Sequence, residues 1–113
     1  MLRNHSKGEK MNQQIFKEIQ TLKRQLLPNE KVILFGSQAR GDAREDSDWD
    51  LLIVVNSEST NLDDEIKYAY PFSKLGWILN IDLNVLLYSK NDWEKRGFMP
   101  FYKNVIKEGI EIN

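Results

Sequence analysis

At 113 residues, with 41% apolar and 29% charged residues, the chain has the composition of one folded domain built round a single core, not of a disordered segment. Sixteen Lys and Arg stand against seventeen Asp and Glu, so no basic field points directly to nucleic acid, and the lack of cysteine excludes disulfides and any thiolate nucleophile or metal site. No apolar run approaches the ~18 residues needed to span a bilayer, and the polar start MLRNHSKGEK has no secretory core, so a cytoplasmic protein without membrane attachment is expected.

Residues 1–10 are expected to be loose, ahead of a single domain that fills the rest of the chain. From Asn12 to Leu27, Ile15, Ile19, Leu22 and Leu26 recur at helical spacing, with Lys17, Lys23 and Arg24 on other faces. Pro28 and Asn29 stop this helix. KVILF, residues 31–35, reads as a buried strand ending at Gly36. A loop with room for a short helix follows. The run from Asp50 to Val55 is the second strand, and with no polar residue after Asp50 it should be covered on both faces. A polar loop, 56–61, leads to a helix over 62–75 that turns Leu62, Ile66, Ala69 and Tyr70 inward, is kinked or divided by Pro71, and ends at Gly76. The stretch 77–88 holds a third strand, ILNIDLNVLLY. Asp92 can cap a short turn at 93–96, and Pro100 opens a last helix that stops near Gly109. Helices interleaved with a few strands give an α/β layered domain.

The chemistry concentrates in residues 36–50, GSQARGDAREDSDWD, whose acidic end runs into the apolar strand LLIVV. Gly36 and Gly41 have the spacing of a phosphate-binding P-loop, but Asp42 and Ala43 stand where that loop needs Lys and Ser or Thr. Asp46, Asp48 and Asp50 match the first ligands of an EF-hand, but Leu51 replaces its glycine and Ser57 its final glutamate. The strand itself offers a better reading. Side chains at i and i+2 share a face, roughly 6.5–7 Å apart at the backbone, so Asp48 and Asp50 project together. Two ionised carboxylates repel each other, and a divalent cation such as Mg²⁺ removes the conflict. Gly36 and Ser37 leave the first strand at the same end, where glycine permits close approach and backbone N–H groups can hold a phosphate. Asp82 interrupts an apolar strand, where a charge needs a partner, and is the candidate third carboxylate, sharing a face with Asn84.

Gly36–Ser37, ten intervening residues, then Asp48–Trp49–Asp50 and an apolar strand resemble the signature of the polymerase-β-like nucleotidyltransferases. The fuller string GSQARG…SDWDLLIVV is similar to the minimal nucleotidyltransferases, which consist of the catalytic domain alone. The resemblance covers most of the chain, from the first helix to the strand bearing Asp82. It implies the nucleotidyltransferase fold, a small mixed sheet flanked by helices. It implies attack of a hydroxyl on the α-phosphate of a nucleoside triphosphate, ATP foremost, with loss of pyrophosphate. By position, Asp48 and Asp50 would bind the Mg²⁺ that holds the triphosphate, and with Asp82 a second Mg²⁺. Asp82 would accept the acceptor's proton, and Gly36 and Ser37 would hold the β- and γ-phosphates. Arg40 would contact a phosphate or pair with the acidic cluster to shape the loop. Small bacterial members are often antitoxins paired with a HEPN-domain toxin, which some of them modify with AMP. With no room expected for a second domain, the acceptor would bind at an open cleft or be brought by another chain.

Blander readings stand beside these. Asp48 and Asp50 can be a solvated turn, Asp82 a structural ion-pair member, Ser37 a plain turn residue. Trp49 should point away from the aspartates into the core. Trp77 and Tyr88 are assigned to packing or a partner surface, and Lys67 and Lys74 to the cleft rim or a solvated helix face. Phe98, Phe101, Tyr102, Val105 and Ile106 form a core cluster, part of which can serve a homo- or hetero-oligomer. The alternatives to catalysis on a protein are a non-catalytic binding module acting by contact and a small-molecule nucleotidyltransferase.

Overall fold

The computed structural model describes residues 3–4 and 11–113. The remainder of the segment expected to be loose, 1–2 and 5–10, lies outside the described residues, whereas Arg3–Asn4 forms a short strand, β1. Helix α1 spans Gln13–Leu26, and the Asn12 side chain caps it by accepting from the N–H groups of Gln14 and Ile15 at 3.0 and 3.1 Å. Strand β2 is Lys31–Phe35, α2 is the four-residue helix Ser37–Arg40, and β3 is Trp49–Val55. A long helical segment comprises α3 (Leu62–Asp64), a π-helical turn (Glu65–Ala69) and α4 (Tyr70–Leu79). Strand β4 (Leu83–Ser89), α5 (Lys90–Lys95), α6 (Pro100–Glu108) and β5 (Ile110–Ile112) complete the chain.

The strands form one mixed sheet in the order β1-β5-β2-β3-β4. Strand β3 runs antiparallel to β2, with Phe35 opposite Asp50, and parallel to β4, with Asp50 opposite Asn84. Strands alternate their side chains, so the sheet buries two separate sets. Val32, Leu34, Leu51, Ile53 and Val55 pack under α1, the π-helical turn and α4 through Phe16, Ile19, Ala69 and Phe72. Ile33, Leu52 and Val54 pack under α5 and α6 through Trp93 and Val105. This double cover is why β3 carries no polar residue after Asp50, as its sequence predicts.

Several expectations are corrected. The buried stripe of α1 centres on Phe16, Ile19 and the cap residue Leu27, with Ile15, Leu22 and Leu26 on its flank. Lys23 lies on the buried side; its methylenes cover apolar surface while Nζ reaches the Pro28 carbonyl at 3.4 Å. The second long helix does not end at Gly76. Gly76 sits inside it, where a Cβ would stand 2.8 Å from that of Leu83, so the glycine lets α4 lie close on β4. The helix stops at Asn80, whose left-handed φ of 56° lets the Ile81 N–H return to the Gly76 carbonyl at 2.9 Å. The π-helical turn ends just before Pro71, which has no N–H to close an ordinary turn. That wider turn shifts the helical phase. Ala69 and Phe72 face the sheet, while Leu62, Ile66 and Tyr70, expected inside, are exposed. Ser89 rather than Asp92 caps α5. Trp49 and Val105 are buried as expected, but Phe98 and Phe101 are exposed. No described helix is long and apolar enough to cross a membrane.

Candidate active site

The site is the point where β2 leaves the sheet and β3 enters it. Because Phe35 pairs with Asp50, the turn after β2 must meet the first residues of β3. Gly36 makes that meeting possible in two ways. Its φ of 77° and ψ of −159° lie in a region essentially reserved for glycine. A Cβ on Gly36 would also overlap Oδ2 of Asp50. The Asp50 carboxylate therefore rests directly on the turn's backbone.

Ser37 starts α2. The N–H groups of Ala39 and Arg40 return to the Gly36 carbonyl at 3.1 and 3.0 Å, which leaves the N–H groups of Ser37 and Gln38 with no acceptor inside the helix. Gly41, left-handed at φ 83°, closes the helix through its N–H to the Ser37 carbonyl. The buried Gln38 side chain donates to the Ser47 carbonyl at 3.2 Å, and the Ser47 hydroxyl accepts from the Arg44 N–H at 2.7 Å. With Trp49 buried beneath, these bonds set the path of the segment that delivers Asp48.

Asp48 and Asp50 point to one face, as their spacing predicts. The Asn84 amide joins them, donating to Asp48 Oδ2 at 3.1 Å and to Asp50 Oδ1 at 3.0 Å. Neither aspartate, nor Asp82, forms an ion pair among the described residues. A neutral amide orients the two carboxylates without cancelling their charge. Oxygen donors of this kind, with room left for further ligands, suit Mg²⁺, which takes one or two carboxylates together with substrate phosphates.

Asp82 stands one position before β4 rather than within it, and it is exposed rather than half-buried. Its carbonyl accepts from the Trp49 N–H at 2.8 Å, which aligns it beside Asp48 along the parallel pair. Among the described residues its carboxylate does not join the other two in a three-acid cluster. Arg40 is turned outward. Its Nε meets Asp42 Oδ2 at 3.2 Å and its Nη1 meets Glu108 Oε2 at 3.4 Å, tying the loop to α6. The hydrogen bond to Asp42 holds its guanidinium above the ordinary arginine pKa. Asn84, Gln38 and Glu108 are the residues that sequence reasoning left without a role. Only Asn84 had a signal, its shared face with Asp82. A cavity of about 490 Å³ against residues 43–47 is also lined by Met11, Trp49 and Asp82 but by neither Asp48 nor Asp50.

The geometry can be set beside known proteins. The family model described as nucleotidyltransferase domain matches residues 13–112. The chain belongs to the nucleotidyltransferase family. Two relatives from Methanocaldococcus jannaschii carry the name "Putative protein adenylyltransferase". MJ0604 is 36% identical over 80 residues, covering 70% of this chain and 73% of the relative. MJ0141 is 38% identical over 96 residues, covering 85% and 89%. Among solved structures, one described as a toxin-antitoxin with AMP-PNP shares the fold at TM-score 0.61 and 19% identity, over 87% of this chain and 72% of that one. A second, a point mutant of the toxin-antitoxin MntA-HpeT, does so at 0.60 and 19%, over 91% and 72%. This nucleotidyltransferase thus has the mixed sheet and flanking helices that the GS and DxD residues imply.

Proposed function

We propose that this nucleotidyltransferase moves AMP from Mg²⁺–ATP onto a hydroxyl of a partner protein, acting as an antitoxin toward a HEPN-type toxin. The observation that carries the reading is the single Asn84 amide holding Asp48 and Asp50 together against Gly36. The names of the archaeal relatives support a protein acceptor, and the toxin–antitoxin titles of the structural neighbours support the setting.

Each residue has a task. Asp48 and Asp50 supply the carboxylate oxygens for Mg²⁺, and the N–H groups after Gly36, with the Ser37 hydroxyl, take the β- and γ-phosphates. Bound there, the cation would neutralise phosphate charge and align the triphosphate. The acceptor oxygen bonds to the α-phosphorus, the α–β bridging P–O bond breaks, and pyrophosphate leaves. Asp82, exposed beside Asp48, takes the hydroxyl proton and, with Asp48 and Asp50, would hold a second Mg²⁺. Arg40 shapes the loop through Asp42 and Glu108. The test is incubation with α-labelled ATP, Mg²⁺ and a candidate HEPN-type toxin. Label should pass to the toxin with the wild type and not with Asp48→Asn plus Asp50→Asn. If the double variant neutralises the toxin as well as the wild type, the protein acts by contact and the catalytic reading fails.

A further inference from the structure

Among the described residues, strand β4 is the last strand of the sheet and is bonded only to β3. Its sequence, LNVLLYS, has no charge and no proline over seven residues. Edge strands of that length normally carry lysine, proline or a bulge to prevent pairing with another chain. Here the opposite holds. Leu86, at the centre of β4, is 40% exposed. The helical segment beside the edge presents Leu62, Ile66, Tyr70, Trp77 and Ile78, which are between 48% and 74% exposed. Tyr70 and Trp77 stand edge to face with centroids 5.8 Å apart. A groove of about 270 Å³ between Ile66, Tyr70, Ser73 and Val85 joins helix and strand into one surface.

We propose that a second copy of this chain covers this surface, with the two β4 strands pairing antiparallel about a two-fold axis beside Leu86. Three observations favour a second copy. The surface suits itself: about that axis Leu86 meets Leu86 and Val85 meets Leu87, and no like charges face each other because the strand has none. The flanking charges, Asp82 before the strand and Lys90 after it, come opposite each other with opposite signs. The exposed apolar side chains flank this edge on both faces of the sheet, those of the helical segment on one and Leu86 on the other, so a copy paired along β4 covers both sets. The pairing would join the two five-stranded sheets into one. The pairing leaves Gly36, Asp48 and Asp50 outside the interface but takes in Asn84 and Asp82, the proposed proton acceptor; sedimentation reads the dimer whether or not the proposed reaction occurs.

The test is sedimentation equilibrium of the full chain and of single variants. The wild type should sediment at twice its 13.3 kDa mass. Leu86→Lys and Leu86→Glu each place like charges at the axis and should each raise the dimer dissociation constant at least tenfold, and a one-to-one mixture of the two should restore the dimer. Trp77→Ala should weaken it severalfold while far-UV circular dichroism stays unchanged. A monomeric wild type at its highest soluble concentration overturns the proposal and leaves the edge to a different protein. A dimer indifferent to all three substitutions, or a mixture that fails to re-form it, also overturns it.

Discussion

Gly36→Ala is the substitution whose effect follows most directly from the site. It acts twice. The backbone at φ 77° and ψ −159° strains any residue with a Cβ, at a cost of about 1–3 kcal/mol. The new methyl also occupies the place of Asp50 Oδ2, so the carboxylate must swing away and release its bond from Asn84. Gly41→Ala supplies the control. Gly41 is also left-handed, at φ 83°, but a Cβ there meets nothing within 4 Å, so only backbone strain of about 1–2 kcal/mol remains. At roughly 4 °C per kcal/mol for a domain of this size, Gly41→Ala should lower Tm by about 4–8 °C. Gly36→Ala should lower it by about 8–15 °C on the same conversion, since displacement of Asp50 adds to the strain. Binding separates the pair more sharply. Displacing a candidate metal-binding carboxylate should cost at least what removing a group that orients it does, so Mg²⁺–ATP affinity should fall about 10–100-fold in Gly36→Ala and hardly at all in Gly41→Ala. Differential scanning calorimetry and isothermal titration calorimetry, at a temperature where both variants are folded, read the two effects. Equal loss of ATP affinity in both variants would refute the role given to the Gly36–Asp50 contact.

Other substitutions probe the remaining links. Asn84→Ala removes the amide shared by Asp48 and Asp50; metal–nucleotide affinity should fall about tenfold, the low end for residues that orient metal ligands, with little change in Tm because Asn84 is exposed. Phe72→Ala empties a fully buried site between α4 and the sheet and should cost about 3–5 kcal/mol in urea unfolding at an unchanged m-value. Arg40→Ala breaks two exposed ion pairs worth together about 0–1 kcal/mol, a difference that high salt should erase. Because the Arg40 pKa is raised, the stabilisation is complete below the ordinary arginine value and is lost only above the raised one. The gap between Arg40→Ala and wild type in thermal melts should therefore stay flat from about pH 6 to about pH 9.

The parts of the fold carried by continuous apolar runs were legible in the sequence. KVILF and LLIVV are short, rich in β-branched residues and bounded by Glu30, Gly36, Asp50 and Asn56, so β2, β3 and the shared face of Asp48 and Asp50 follow from the sequence. Asn84 was not derivable as the link between them, because its place depends on the parallel register of β3 with β4, and that register is a property of the assembled sheet. The face of the second long helix was misjudged because five residues in a π-helical turn break the ordinary 3.6-residue period. Lys23 shows that charge alone does not place a side chain outside when its methylenes can lie on the core. Strand β5, three residues long, gives too short a pattern to separate from a loop.

The reaction itself is tested most directly by following the two ends of ATP in parallel incubations of the wild-type protein, Mg²⁺ and a HEPN-type toxin. With the α-phosphate labelled, the toxin should become radioactive; with the γ-phosphate labelled, the count should appear only in released pyrophosphate. Both signals should vanish together when Asp48→Asn and Asp50→Asn are combined. Transfer of the γ-label to protein, or α-label transfer that survives the double substitution, would contradict nucleotidyl transfer at the Gly36–Asp50 site.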